Sequence, residues 1–227
     1  MSEKILILGG TAEAATKAAE LAAQGHHVIT SLAGRTREPK PVTGQIRTGG
    51  FGGVEGLADY LRNENIDRLI DMTHPFAVTI SRNAHRAASE TGVPFERILR
   101  APWKQRKGDQ WQSMPDLETA ARQIPSNARV LLALGSQHLS QFTHRDDVFF
   151  LIRMVDAPKN PLAFANHRLI LSRPSANWRE EEQLLKANTI THIVCRNSGG
   201  PGAYAKIEAA RELQIPVIMI DRPDETA

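Results

Sequence analysis

In Lys4-Ile5-Leu6-Ile7-Leu8-Gly9-Gly10-Thr11-Ala12-Glu13-Ala14 a short aliphatic run meets two glycines and then a series of helix formers. The run predicts a buried strand, the glycines a tight turn, and Thr11 the N-cap of a helix reaching Gln24. Such a turn presents unpaired backbone N–H groups and the positive end of a helix dipole, and its glycines let a ligand approach bare backbone, which suits a pyrophosphate. The full dinucleotide fingerprint is absent, and strand-to-helix turns capped by threonine also occur without a ligand. Position alone leaves both readings open.

Outward from this turn the pattern repeats. His27 to Leu32 and Arg68 to Met72 read as strands, and Ala77 to Thr91 as a helix. Strands alternating with helices signal βαβ units. Their continuous rather than alternating apolar character predicts a mostly parallel sheet covered on both faces. Helices close on glycine at Gln24-Gly25 and Thr91-Gly92, as expected of C-caps. Around Ala101 to Met114 the periodicity fails in a stretch holding Pro102, Trp103, Gly108 and Trp111, which marks a domain junction. Alternation resumes with a strand at Arg129 to Leu134, a helix from Ser136, a strand at Val148 to Ile152, a helix at Trp178 to Lys186, a strand at Thr191 to Cys195, and a final helix and strand.

The expected architecture is therefore α/β: two Rossmann-like domains, residues 1–107 and 108–227, with mostly parallel sheets and helices on both faces. The second half is expected to repeat the first, with ligands in a cleft between them at the carboxyl ends of the strands. The junction bearing the two tryptophans is a candidate strand joining one sheet to the other.

Composition excludes several classes. With 227 residues, 41% hydrophobic and 23% charged, the chain has the make-up of a globular enzyme. A net charge of +3 with dispersed basic residues gives little basis for nucleic-acid binding, despite a loose basic stretch at Arg97, Arg100, Lys104, Arg106 and Lys107. It does suit a small polyanion. The first apolar run is broken by Gly9 before reaching secretory or membrane-spanning length, so a cytoplasmic protein without membrane contact is expected. The single Cys195 reads as strand core. The eight histidines are scattered and no Gly-x-Ser-x-Gly occurs, so neither metal nor serine hydrolysis is expected.

Further motifs follow the strands. After the second comes Ser31-Leu32-Ala33-Gly34-Arg35-Thr36-Arg37, with no acid before Glu38. An acid there would take the free ribose hydroxyl of NADH. Ser31, Arg35 and Thr36 instead offer hydroxyls and a guanidinium to a 2′-phosphate, so NADPH is preferred, although solvated loop arginines are also common. Thr48-Gly49-Gly50-Phe51-Gly52-Gly53 is a glycine-dense turn that serves either strain or close ligand approach. Asp71-Met72-Thr73-His74-Pro75-Phe76-Ala77 places Thr73 or His74 near a helix cap, with His74 facing the expected crevice as a contact to nicotinamide or a substrate carboxylate, or as a structural histidine. In the second half, Leu134-Gly135-Ser136-Gln137-His138 and Asn197-Ser198-Gly199-Gly200-Pro201-Gly202 hold equivalent positions and can present donors to carboxylates. Tyr204 and Lys206 follow on the next helix, within reach of a ligand or simply exposed.

Taken in order, Ile7-Leu8-Gly9-Gly10-Thr11-Ala12-Glu13-Ala14, Ser31-Leu32-Ala33-Gly34-Arg35, Gly49-Gly50-Phe51-Gly52-Gly53, Thr73-His74-Pro75-Phe76-Ala77, Asn197-Ser198-Gly199-Gly200, Gly202-Ala203-Tyr204-Ala205-Lys206 and Ile215-Pro216-Val217-Ile218 resemble the precorrin-6A reductase family. The resemblance implies hydride transfer from NADPH to the precorrin-6A tetrapyrrole, giving precorrin-6B on the route to cobalamin. The cofactor set expected here is Gly9, Gly10, Thr11, Ala12, Glu13, Ser31, Gly34, Arg35, Thr36, Gly49, Gly50, Thr73 and His74. The substrate set is Ser136, Asn197, Ser198, Gly199, Tyr204 and Lys206. Asp146, in the polar turn Thr143-His144-Arg145-Asp146-Asp147, is the candidate proton donor. No partner chain is required, and a monomer is compatible with this reading. Two alternatives remain. A small-substrate NADPH dehydrogenase or epimerase is disfavoured because Tyr204 is followed by Lys206 rather than by a lysine four residues on. A non-catalytic NADPH sensor would bind the cofactor without oxidising it.

Overall fold

The computed structural model describes residues 2–34 and 41–223. The chain divides into two compact units, Met1–Arg100 and Ala101–Ala227. The junction expected at residues 107 and 108 thus falls inside the second unit, where Trp103 is buried in the core.

The first unit holds strands β1 (Lys4–Leu8), β2 (His27–Leu32), β3 (Gln45–Thr48), β4 (Arg68–Asp71) and β5 (Phe95–Arg97), with helices α1 (Ala12–Ala23), α2 (Val54–Asn63) and α3 (Val78–Thr91). Its sheet order is β3-β2-β1-β4-β5, and every pairing is parallel. Successive side chains of a strand point to opposite faces, so the unbroken apolar run of β1 fills two cores. Leu6 and Leu8 pack with Leu57 and Leu61 of α2 and Ala84 and Ala87 of α3. Ile5 and Ile7 pack with Ala14, Ala18 and Leu21 of α1. Small residues on α1 and α3 let these helices lie close to the sheet.

The second unit holds β6 (Trp111–Met114), β7 (Arg129–Ala133), β8 (Phe149–Met154), β9 (His167–Leu171), β10 (His192–Arg196) and β11 (Val217–Ile220), with α4 (Leu117–Gln123), α5 (Trp178–Ala187) and α6 (Ala205–Glu212). Its sheet order is β6-β11-β10-β7-β8-β9, again parallel throughout. Leu131, Leu151, Ile193, Cys195, Val217 and Met219 share a core with Leu185 of α5 and Ile207 of α6. The stretch with Trp111 becomes the edge strand β6, its first residue paired with Val217.

Two expectations are corrected. The helix expected from Ser136 is a pair of short 3₁₀ turns, Ser136–His138 and Ser140–Phe142. The buried residues here, Leu139 and Phe142, lie three apart, which matches three residues per turn and supplies no 3.6-residue stripe. The second unit accordingly does not repeat the first: it has a sixth strand, and no α-helix joins β7 to β8 or β8 to β9. Among the described residues no helix is long and apolar enough to cross a membrane.

Candidate functional site

In the first sheet the chain progresses outward from β1 to β3 on one side and from β4 to β5 on the other. The direction reverses between β1 and β4, and ligands of open α/β sheets sit at the carboxyl ends of the strands at such a point. The turn Gly9-Gly10-Thr11 lies there. The Gly9 N–H donates to Ser31 O at 2.9 Å, and a Cβ on Gly9 would meet Thr30 Cγ2 at 2.8 Å, so the close approach of β2 requires glycine. Gly10 has φ +107° with open space above it. Thr11 is the N-cap: its Oγ1 accepts from the Ala14 N–H at 3.1 Å and donates to Met72 O at 3.0 Å, fastening the turn to the end of β4. The N–H groups of Ala12 and Glu13 lie in the first turn of a 12-residue helix, where the helical ladder has no partner for them. The Glu13 carboxylate pairs with Arg100 at 3.3 Å, which offsets its negative charge.

Across the reversal, Thr73 donates through N at 3.0 Å and through Oγ1 at 2.7 Å to one oxygen of the fully buried Asp71. The other carboxylate oxygen faces Arg97 Nε at 3.5 Å. His74 accepts from the Phe76 N–H at Nδ1, 3.3 Å, and its ring lies 5.7 Å from that of Phe76. Neither Thr73 nor His74 caps α3. Ala77 flanks the helix without a side-chain cap, because a turn closed by Ala77 N–H to His74 O comes first.

The ends of β2 and β3 are joined closely. Ser31 is buried and accepts from Arg47 Nη1 at 3.4 Å. Gly49 N–H donates to Leu32 O at 2.9 Å, and a Cβ on Gly34 would meet Thr48 Cγ2 at 2.9 Å. Gly49 and Gly50 are each bonded through their carbonyls to Arg47, at 2.6 and 2.8 Å. The structure therefore brings Gly9 to Glu13, Ser31, Gly34, Gly49, Gly50, Thr73 and His74 to the carboxyl edge of one sheet. Arg35 and Thr36 lie outside the described residues.

In the second sheet the reversal falls between β7 and β10. Arg196, the last residue of β10, and His138, in the turn after β7, meet there with Arg196 Nη1 and His138 Nε2 3.0 Å apart. Gly135 starts the turn at φ +81° and leads into Ser136. The loop after β10 is held from behind. Asn197 Oδ1 accepts from the Trp103 N–H at 2.8 Å, and Asn197 Nδ2 donates to Trp103 O at 3.0 Å. Arg222 donates to the carbonyls of Asn197 and Ser198 at 3.0 and 3.1 Å. Gly199 has φ +70°, and a Cβ there would collide with Ala101 O and the Arg222 guanidinium.

These partners change the expected roles of three side chains. The Asn197 amide mimics a peptide group and ties down Trp103 instead of reaching outward. The Tyr204 hydroxyl accepts from Arg211 Nη2 at 2.8 Å, toward the far end of α6. Lys206 is buried rather than exposed, with Nζ 2.6 Å from Ala203 O and 4.8 Å from the centre of the Trp103 ring. Asp146 lies away from this edge. Its turn leads into the amino end of β8, and its carbonyl accepts from Asn166 just before β9, so it lies at the edge of the sheet opposite Arg196.

Cys195 lies in the core with its thiol pushed up by burial and its sulfur 3.8 Å from Met219 Sδ, which leaves it inert. Sequence reasoning missed Asp71, Arg47 and Arg196. Asp71 and Arg196 each end a run of apolar residues, and a charge at the carboxyl end of a buried strand is the signal that marks them.

The model of the precorrin-6x reductase CbiJ/CobK family matches residues 4–227. A precorrin-6A reductase of Rhodobacter capsulatus is 46% identical over 97% of this chain and 88% of its own length. One from Mycobacterium tuberculosis is 41% identical over 97% of this chain and 89% of its own. A cobalt-precorrin-6A reductase of Priestia megaterium is 27% identical over 96% of this chain and 90% of its own. A solved structure of a CobK precorrin-6A reductase superposes with a TM-score of 0.94 at 45% identity, covering 99% of this chain and 89% of that one. With the family pattern matched from Lys4 onward and both sheets superposing on that structure, the chain belongs to the precorrin-6x reductase family.

Proposed function

We propose that this enzyme reduces precorrin-6A to precorrin-6B in cobalamin biosynthesis, with NADPH as hydride donor bound to the first unit and the macrocycle bound to the second. The observation that carries the proposal is the Gly9-Gly10-Thr11 turn, open above Gly10 and fastened to Met72 at the reversal of a parallel sheet. The residues present fit a dinucleotide phosphate: bare backbone at Gly10, first-turn N–H groups at Ala12 and Glu13, and the positive end of α1. Ser31 with Gly34 would serve the ribose end, and Thr73 and His74 flank the same edge. When bound, NADPH supplies the hydride, while the protein supplies position and electrostatics.

The second unit contributes a different chemistry. Arg196 carries a charge that suits a tetrapyrrole carboxylate, His138 lies beside it, and the backbone at Ser136, Ser198 and Gly199 lies on the same edge. The metal-free macrocycle is favoured because relatives named for it share 41% to 46% identity with this chain. Those named for the cobalt form share 24% to 27%. An NADPH-dependent step of this kind suits a cytoplasmic enzyme.

Reduction adds a hydride at one carbon of a double bond and a proton at a neighbouring atom. The test is to mix the protein with precorrin-6A and NADPH deuterated at the transferring position. Loss of nicotinamide absorbance with one deuterium appearing in the macrocycle is expected. Cofactor that binds but stays reduced in the presence of precorrin-6A would point to a sensor and end the proposal.

A further inference from the structure

The glycine-dense loop Gly49 to Gly53 has almost no side chains with which to fix its own shape, and Gly49, Gly52 and Gly53 adopt φ of +113°, +83° and +106°. One side chain supplies what the loop lacks. Arg47 donates from Nη1 to Gly49 O at 2.6 Å and from Nη2 to Gly50 O at 2.8 Å, and its guanidinium lies 3.8 Å from the centre of the Phe51 ring. Phe51 is itself held, edge-on to Tyr60 at 5.3 Å and with its carbonyl pressed against Gly56, where no Cβ could be accommodated.

The same arginine faces the end of the second strand. Ser31 and Arg47 are register partners in β2 and β3, and Arg47 Nη1 approaches Ser31 Oγ at 3.4 Å. An Oγ that accepts from a guanidinium keeps its own hydrogen for donation to an anion. The end of the second strand is where a bound dinucleotide places its adenine ribose, and an acid there would select the free hydroxyl. Ser31 to Gly34 contain no acid, and the neighbouring strand adds a held positive charge.

We infer that Arg47 is a positioning residue that sets preference for a 2′-phosphorylated dinucleotide, acting through the loop it braces, the Ser31 hydroxyl it orients and the charge it fixes beside them. The inference rests on the reading that the first unit binds a nicotinamide dinucleotide. A bracing role alone would affect phosphorylated and unphosphorylated dinucleotides equally. A role in selection affects one of them.

The test titrates the unaltered protein, Arg47→Gln and Arg47→Lys with NADPH and with NADH, at low and high salt. In Arg47→Gln the NADPH affinity should fall on the order of tenfold, the factor that about 1.4 kcal/mol brings, while NADH affinity stays within about twofold. Arg47→Lys should recover part of the lost NADPH preference, and raised salt should erode that preference in the charged forms only. Arg47→Lys serves alone if the glutamine variant fails to fold, and it should then show a reduced but measurable preference. Equal weakening of both dinucleotides, or an unchanged ratio, overturns the inference while leaving the cofactor reading intact. Failure of the unaltered protein to bind either dinucleotide overturns the cofactor reading and this inference together.

Discussion

The two sheets reverse direction in the same way and furnish the two reversal points differently. At the first, between β1 and β4, the turn itself offers backbone, a pair of glycines and the N-terminus of a 12-residue helix, beside hydroxyls already committed to holding the loops together. At the second, between β7 and β10, a short 3₁₀ turn follows β7, so that strand leads into no extended helix dipole. Positive character there comes from a side chain, Arg196, next to His138. A diphosphate is compact and needs close backbone. A large ring with carboxylates spread along its rim needs side chains with reach, and under the proposed function the two edges would meet these two needs.

The contrast can be broken most severely at Gly199. Alanine there meets a backbone carbonyl and a guanidinium from a left-handed conformation, and should cost about 3 kcal/mol or more in urea unfolding. A variant as stable as the parent would show that the loop after β10 is not held as described. Gly10→Ala should separate the two edges by function. Open space surrounds the glycine, so the fold should survive a strain of about 1–2 kcal/mol, while NADPH affinity falls by more than about tenfold and macrocycle binding persists. Arg196→Gln should do the reverse. Loss of one charge-assisted hydrogen bond, about 1.5–3 kcal/mol, raises the macrocycle KM while NADPH affinity measured by fluorescence titration stays unchanged. Thr11→Ala removes the cap of α1 and should lower stability by about 1 kcal/mol, with serine restoring most of it.

The smallest effect belongs to the amino edge of the second sheet. The Arg145 guanidinium beside Asp147, bonded at 2.8 Å through both oxygens, holds that carboxyl well below the usual carboxylate range. A carboxyl depressed in the folded state stabilises above its unfolded pKa, and this contribution disappears as pH falls through the folded value. Asp147→Asn should therefore lower stability slightly above about pH 4 and leave it unchanged at the acid end, flattening the acid limb of the stability profile. Asp146→Asn should leave turnover untouched at every pH, and a slowed single turnover would return that residue to the mechanism.

Most of the fold was legible because β1 is apolar on both faces and because glycine follows α1 and α3. The turn at Gly9 was legible for the same reason: its neighbours in sequence are its neighbours in space. Roles in the second unit were not. Asn197 opens a glycine-rich turn and Tyr204 and Lys206 follow it, just as binding residues would, and their partners, Trp103, Arg211 and the Trp103 ring, are set by packing that no local pattern announces. Arg47 was hidden similarly, since only the pairing of β2 with β3 brings it to Ser31.

The order β6-β11 at the margin of the second sheet joins the first strand of that unit to its last, Trp111 to Val217. Parallel partners separated by so much chain close slowly, because the long loop between them must be ordered before the pairing contributes. During synthesis the first unit has all its strands once Arg97 has emerged, whereas the second cannot finish its sheet until nearly the end of translation. A nascent chain halted before Val217 would therefore carry a finished first unit and an unpaired Trp111 edge, which makes the growing enzyme most prone to aggregation in its final moments on the ribosome.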